Sequence, residues 1–234
     1  MILSMGPDDD SAPSANRQPA FEHTYGLDGP ASHEYSPFEE AWEMARKSKN
    51  RNLRFPLFVN DNPFRRFFLP PDRLVKGCVT DGQVVADLGC GPGFYTIALA
   101  EAVGPGGKVY AVDWDVKPIR ALERKAAKRG RRNIESRVSS AAELDFIKDG
   151  SVDFVFANGL LCSMASQNHV STVNEIKRIL KSGIGRAYLS VARGPWSHVD
   201  GPAWNRILAA FKVERRGDGF PWIAHRWAVV STLP

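Results

Sequence analysis

Asp87, Gly89, Gly91 and Gly93, joined further on by a second acid at Asp113, are the residues whose types and spacing could do the most chemistry. The first four close a short apolar run, Val84-Val85-Ala86-Asp87-Leu88, too short for a helix, and precede a helix-forming stretch from about Thr96. Glycine lacks a Cβ and reaches positive φ without strain, so glycines at alternate positions turn the chain tightly and let backbone approach a ligand. The helix that follows presents unpaired N–H groups in its first turn. Asp113 ends a second apolar run, Val109-Tyr110-Ala111-Val112, which places it beside the same crevice. A carboxylate there can accept both hydroxyl protons of a ribose. The pattern predicts a site for a nucleotide-bearing cofactor.

Two cofactor classes compete for it. Dinucleotide folds space their glycines G-x-G-x-x-G, whereas this chain has G-x-G-x-G, with Asp87 bringing negative charge where a pyrophosphate would lie. An acid at that point suits a cationic ligand. The run Asp87-Leu88-Gly89-Cys90-Gly91-Pro92-Gly93 resembles the first motif of the class I S-adenosylmethionine-dependent methyltransferases. The resemblance covers Gln83 to Leu180 strongly and the C-terminal part more loosely, and is greatest toward the branch containing the ubiquinone and menaquinone C-methyltransferases. It implies S-adenosyl-L-methionine as cofactor. Asp87 and the backbone of Gly89, Cys90, Gly91 and Gly93 would hold its methionine portion, Asp113 its ribose, and Trp114 would offer an apolar face to the adenine. Where many members carry Gly-Asp-Ala at the third strand end, this chain has Ser139-Ser140-Ala141-Ala142. Ser140, Ala141 and Ala142 would then meet the adenine edge, Ser140 as a neutral acceptor weaker than a carboxylate. Asn158 would orient the methionine moiety or an acceptor. Other roles compete: Asp113 as a helix N-cap, Asn158 as a cap, and the glycines as turn formers only.

A methyl transfer from a sulfonium needs the acceptor held behind the methyl group and desolvated. A general base is needed only where the acceptor loses a proton. His169 and His198 are the candidates singled out, with Cys162, Tyr95 and His225 in the wider neighbourhood. Arg193 and Trp196, in the loop after the fifth strand, suit an anionic or planar acceptor. Upstream, Asn62-Pro63 reads as a helix cap followed by proline at the first helical position. Phe64 and Phe67, with Phe68, would lie on that helix's inner face and line an acceptor pocket or pack on the core.

These residues need a frame of alternating elements. Strands are expected near Val84 to Asp87, Lys108 to Val112, Ile134 to Val138, Val152 to Ala157, Arg186 to Ala192, Phe211 to Arg216 and His225 to Ser231, with helices between the first five. Val170, Val173, Ile176 and Leu180 define an amphipathic helix packed on the sheet. Such alternation predicts an α/β fold, a Rossmann-like and mainly parallel sheet with helices on both faces. The missing helix between the last two strands, and the resemblance, make seven strands ending in an antiparallel hairpin. Residues 1–35 read as a disordered or loosely packed tail, 36–80 as a helical lid or extension opening at Ser36-Pro37-Phe38-Glu39, and 81–234 as the cofactor-binding domain.

The 234 residues suit one such domain, and the hydrophobic 43% and charged 24% are ordinary for a soluble protein. No apolar run reaches membrane-spanning length and no secretory signal is legible. Three cysteines, Cys78, Cys90 and Cys162, have no metal-ligand spacing, so no metal is expected and a reducing cytoplasm fits. The net charge of +5 gathers at Arg120, Arg124, Lys125, Lys128, Arg129, Arg131 and Arg132, on and after one helix. This reads as a solvated helix face, with phosphate tracking and nucleic acid as the alternative. The expected partner is a small-molecule methyl acceptor, the expected state a monomer or homodimer. Two rivals are a protein or RNA methyltransferase and a non-catalytic cofactor-binding partner protein.

Overall fold

The computed structural model describes residues 51–57, 61–68, 70–219 and 225–233. The expected tail at 1–35 and the expected helix from Ser36 lie outside them. Among the described residues two short helices, α1 (Pro63–Phe68) and α2 (Pro71–Val75), precede the sheet. There follow β1 (Val84–Leu88), α3 (Thr96–Ala102), β2 (Lys108–Asp113), α4 (Val116–Lys128), β3 (Ile134–Val138), β4 (Phe154–Asn158), α5 (His169–Ile179), β5 (Arg186–Ala192), α6 (Gly201–Ala209), β6 (Lys212–Gly219) and β7 (His225–Ser231).

The strands form one sheet in the order β3-β2-β1-β4-β5-β7-β6, parallel from β3 to β5 and antiparallel through β7 and β6. The central strands are covered on both faces, which is why β1 and β4 read as unbroken apolar runs. On one face Leu88, Val155 and Leu189 pack with Ile176 of α5 and Trp204 of α6. On the other, Val85, Phe156 and Tyr188 pack with Val75 of α2 and Leu99 of α3, and Tyr188 stacks between Phe156 and Trp227. Ile119, Leu122 and Ala126 form the buried stripe of α4, as its sequence spacing predicts. Strand order reverses direction between β1 and β4, so the crevice for a ligand opens at their C-terminal ends.

Three expectations need correcting. No helix joins β3 to β4; the segment is a series of turns. Its backbone is satisfied by side chains of α5 instead. Glu175 accepts from the Leu144 N–H at 2.7 Å, and Arg178 donates to the Leu144 and Ile147 carbonyls at 2.8 and 2.9 Å. An additional helix, α6, lies between β5 and β6, its first turn capped by Asp200 accepting from the Ala203 N–H at 2.8 Å. Val170 is exposed at the start of α5, whose buried residues are Thr172, Val173, Ile176 and Ile179. Among the described residues no helix is long and apolar enough to cross a membrane.

Candidate cofactor site

The loop after β1 is fastened across the end of β2. Gly89 and Cys90 both donate their N–H to the Val112 carbonyl, at 2.8 and 3.0 Å. Gly91 donates to Oδ2 of Asp113 at 3.0 Å, and Asp115 donates its N–H to Oδ1 at 3.0 Å. Asp113 is therefore not the cap of α4; Asp115 is, accepting from the Lys117 N–H at 3.0 Å. Burial raises the Asp113 carboxyl above its ordinary value, and the two backbone donors pull it back. Each oxygen keeps lone-pair capacity for a further donor.

The three glycines differ in what they face. All have positive φ. A Cβ on Gly89 would press on Leu160 at 3.1 Å and one on Gly93 would collide with Leu122, whereas one on Gly91 meets nothing. Gly89 and Gly93 thus serve packing, and Gly91 alone presents its Cα to open space. Cys90 is buried beside Ile97 and Leu122, so it contributes backbone only. Asp87 lies under the loop, 3% exposed, where its Oδ2 accepts the Thr96 hydroxyl at 2.6 Å.

A narrow cleft of about 20 Å³ lies between Gly89, Asp113, Trp114, Ser140 and Ala141 on one side and Asn52, Leu160 and Met164 on the other. The Ser140 hydroxyl accepts from the Ala142 N–H at 3.2 Å, which holds the turn after β3. The cleft is narrowed by residues 51–57, which cross the strand ends. Leu53 donates its N–H to the Ser163 carbonyl at 2.7 Å, Asn52 Oδ1 accepts from the Ala165 N–H at 2.9 Å, and the Phe55 ring meets Trp196 edge-on. Arg54 places its guanidinium 4.7 Å over the Trp114 ring and pairs with Asp115 at 3.4 Å. The donors and acceptors around the cleft fit an adenosyl group with its ribose on Asp113. Its volume, roughly that of one water, means residues 51–57 must give way to admit one.

The remaining candidates fall in different places. Asn158 ends β4 and accepts the Ser190 hydroxyl at 2.8 Å, outside the cleft lining. His198 is buried and its Nδ1 lies 2.7 Å from the Met164 carbonyl, so Nδ1 carries a proton and donates it to that oxygen. Among the described residues Nε2 is buried and has no hydrogen-bond partner. His169 bonds the Leu161 carbonyl through Nε2 at 2.8 Å, and burial lowers its pKa. Cys162 is buried and its thiol is pushed up to about 11, which makes it inert. Arg193 is exposed and pairs with Asp218 on β6 at 3.4 Å. Phe64 and Phe67 do not form an inner face. The Asn62 cap is present, with the Arg65 N–H donating to its Oδ1 at 2.8 Å, yet both rings point to solvent. The reason is that Arg65 and Arg66 take the inward positions, over the Phe94 ring at 4.3 and 5.2 Å, and Arg66 is tied to Asp61. The sequence reasoning missed Asn52, Arg54, Thr96 and Met164. Only Thr96, a lone hydroxyl in an otherwise apolar helix start, carried a signal.

Glycine loop, second acid and seven-stranded order together define a class I S-adenosylmethionine-dependent methyltransferase domain, and residues 79–194 match the family model described as a methyltransferase domain. Within that class the chain is similar to demethylmenaquinone methyltransferases. It is 35% identical to the demethylmenaquinone methyltransferase of Geobacillus stearothermophilus over 105 residues, 45% of this chain and 44% of that protein. To the enzyme of the same name from Staphylococcus aureus it is 32% identical over 142 residues, 60% of this chain and 57% of that one. The chain thus spans about half the length of the curated relatives it matches. A solved S-adenosylmethionine-dependent methyltransferase from Aquifex aeolicus superposes with a TM-score of 0.65 at 25% identity, covering 76% of this chain and all of that one.

Proposed function

We propose that this chain transfers a methyl group from S-adenosyl-L-methionine to a compact small-molecule acceptor by in-line displacement. The observation that carries the proposal is the Asp113 carboxylate, held by the Gly91 N–H at the point where strand order reverses. Bound there, S-adenosylmethionine supplies a methyl group already activated on a sulfonium. The chain's own residues bind and orient. Asp113 accepts from the ribose hydroxyls, the backbone around Gly89 and Gly91 approaches the methionine portion, and Trp114, Ser140 and Ala141 flank the adenine. Asp87 sits below the loop and holds the start of α3 through the Thr96 hydroxyl. Residues 51–57 exclude water once closed. The names of the Geobacillus and Staphylococcus relatives make a quinol-like ring the first acceptor to try.

Calorimetric titration of the full chain with S-adenosylmethionine and S-adenosylhomocysteine tests this, with NAD as a control and Asp113→Ala alongside. Micromolar binding is expected, weakened about tenfold to a hundredfold in the variant, the range for hydrogen bonds to a charged group. Binding of NAD in place of S-adenosylmethionine would sink the reading. Turnover of a small acceptor that is insensitive to salt would exclude the RNA alternative, whose affinity should fall steeply as salt rises.

A further inference from the structure

α1 is turned inside out relative to an ordinary surface helix. Its two arginines face the protein while Phe64 and Phe67 stand 77% and 80% exposed. Leu57, just upstream, is exposed as well. Exposed apolar residues scattered singly need no account, but two phenylalanines displayed about one turn apart on one short helix do. Beside them runs a second feature. Lys117, Arg120, Arg124 and Lys128 are exposed on α4 at spacings of three and four residues, which puts them on one face. None of these four cations makes an ion pair among the described residues. The helices that carry the two features are linked, because Lys125 of α4 pairs with Asp61, two residues before α1, and donates to the Pro92 carbonyl. Burial raises the Asp61 carboxyl, but hydrogen bonds from Arg66 and Lys125 outweigh it and hold the group below its usual value.

We propose that α1 and the exposed face of α4 form a docking surface for an anionic lipid bilayer. Phe64 and Phe67 enter the boundary between headgroups and acyl chains, and the four cations of α4 meet the anionic headgroups. Apolar insertion and basic attraction are the two contributions that together give stable peripheral binding, each being marginal alone. The charge complementarity selects the bilayer over a second copy of this chain, since two such basic faces would repel. The exposure of both rings selects it over single-stranded nucleic acid, which is held along a groove with bases stacked on its aromatic floor. The proposal does not depend on the acceptor.

Co-sedimentation of the full chain with phosphatidylcholine vesicles, with and without phosphatidylglycerol, reads it out. Binding is expected to the mixed vesicles only and to weaken with added salt. Phe64→Ser with Phe67→Ser should lower the partition coefficient about tenfold or more. Arg120→Gln and Arg124→Gln should each lower it about fivefold. Both phenylalanines are exposed, so the thermal midpoint should stay put. Should the pair nonetheless misfold, Phe67→Trp gives an independent reading, because its added fluorescence should shift to the blue and be quenched by brominated lipid. The proposal falls if the chain stays in the supernatant, or if vesicle binding is indifferent to the phenylalanines. It falls equally if the serine pair converts a solution dimer to a monomer, or if an RNA oligonucleotide competes the chain off the vesicles through those same rings.

Discussion

Asp87 is a carboxyl held where a charge is expensive. Burial pushes it up to about 7, the Asp113 charge adds to the rise, and the Thr96 hydroxyl partly opposes it. The folded chain therefore keeps a proton that the unfolded chain releases near 3.8. With more protons bound in the folded state across that window, stability from this group is fully present below about pH 4 and is lost as pH rises through about 7. Asp87→Asn keeps an acceptor for Thr96 and removes the titration. Urea denaturation across the window should show the variant gaining on the native chain as pH rises; parallel profiles would mean that Asp87 is ionised throughout. The sequence made this acid legible as a partner of the glycine loop. It could not tell that the side chain lies beneath the loop, because that depends on Thr96 and on the burial of β1 from both faces.

Among elements, the glycine loop separates folding from binding within one motif. Gly93→Ala would drive a methyl group into Leu122 of α4 at a φ of 83°, so both packing and backbone oppose it. We expect a loss of about 2 kcal/mol or more in chemical denaturation. Gly91→Ala has a φ of 54° and open space, so it should cost about 1 kcal/mol of stability and show mainly as weaker cofactor binding by calorimetry. Equal stability losses at the two positions would contradict this division. The strands were legible because parallel strands buried on both faces leave continuous apolar runs. The turns between β3 and β4 were not, since what satisfies their backbone is Glu175 and Arg178, far along the chain. The start of α1 was legible from Asn62 and Pro63, but the face it buries was set by Asp61, Phe94 and α4, which no local pattern records.

At the scale of the molecule, residues 51–57 gather three parts of the sheet's C-terminal edge. Arg54 reaches the end of β2 at Trp114 and Asp115, Asn52 and Leu53 reach the segment after β4, and Phe55 reaches Trp196 after β5. A ligand filling the cleft beneath them touches the glycine loop as well, so its binding energy is distributed over all of these elements. Anything that binds the folded chain and not the unfolded one stabilises it, by about 2.7 kcal/mol at a hundredfold excess over Kd. For a domain of this size that corresponds to a rise in thermal midpoint of about 5 to 10 °C. S-adenosylhomocysteine should produce this shift in the native chain, NAD should not, and Asp113→Ala should lose most of it while unfolding cooperatively. A shift retained in full by Asp113→Ala would place the ligand elsewhere than the cleft between Gly89, Asp113 and Asn52.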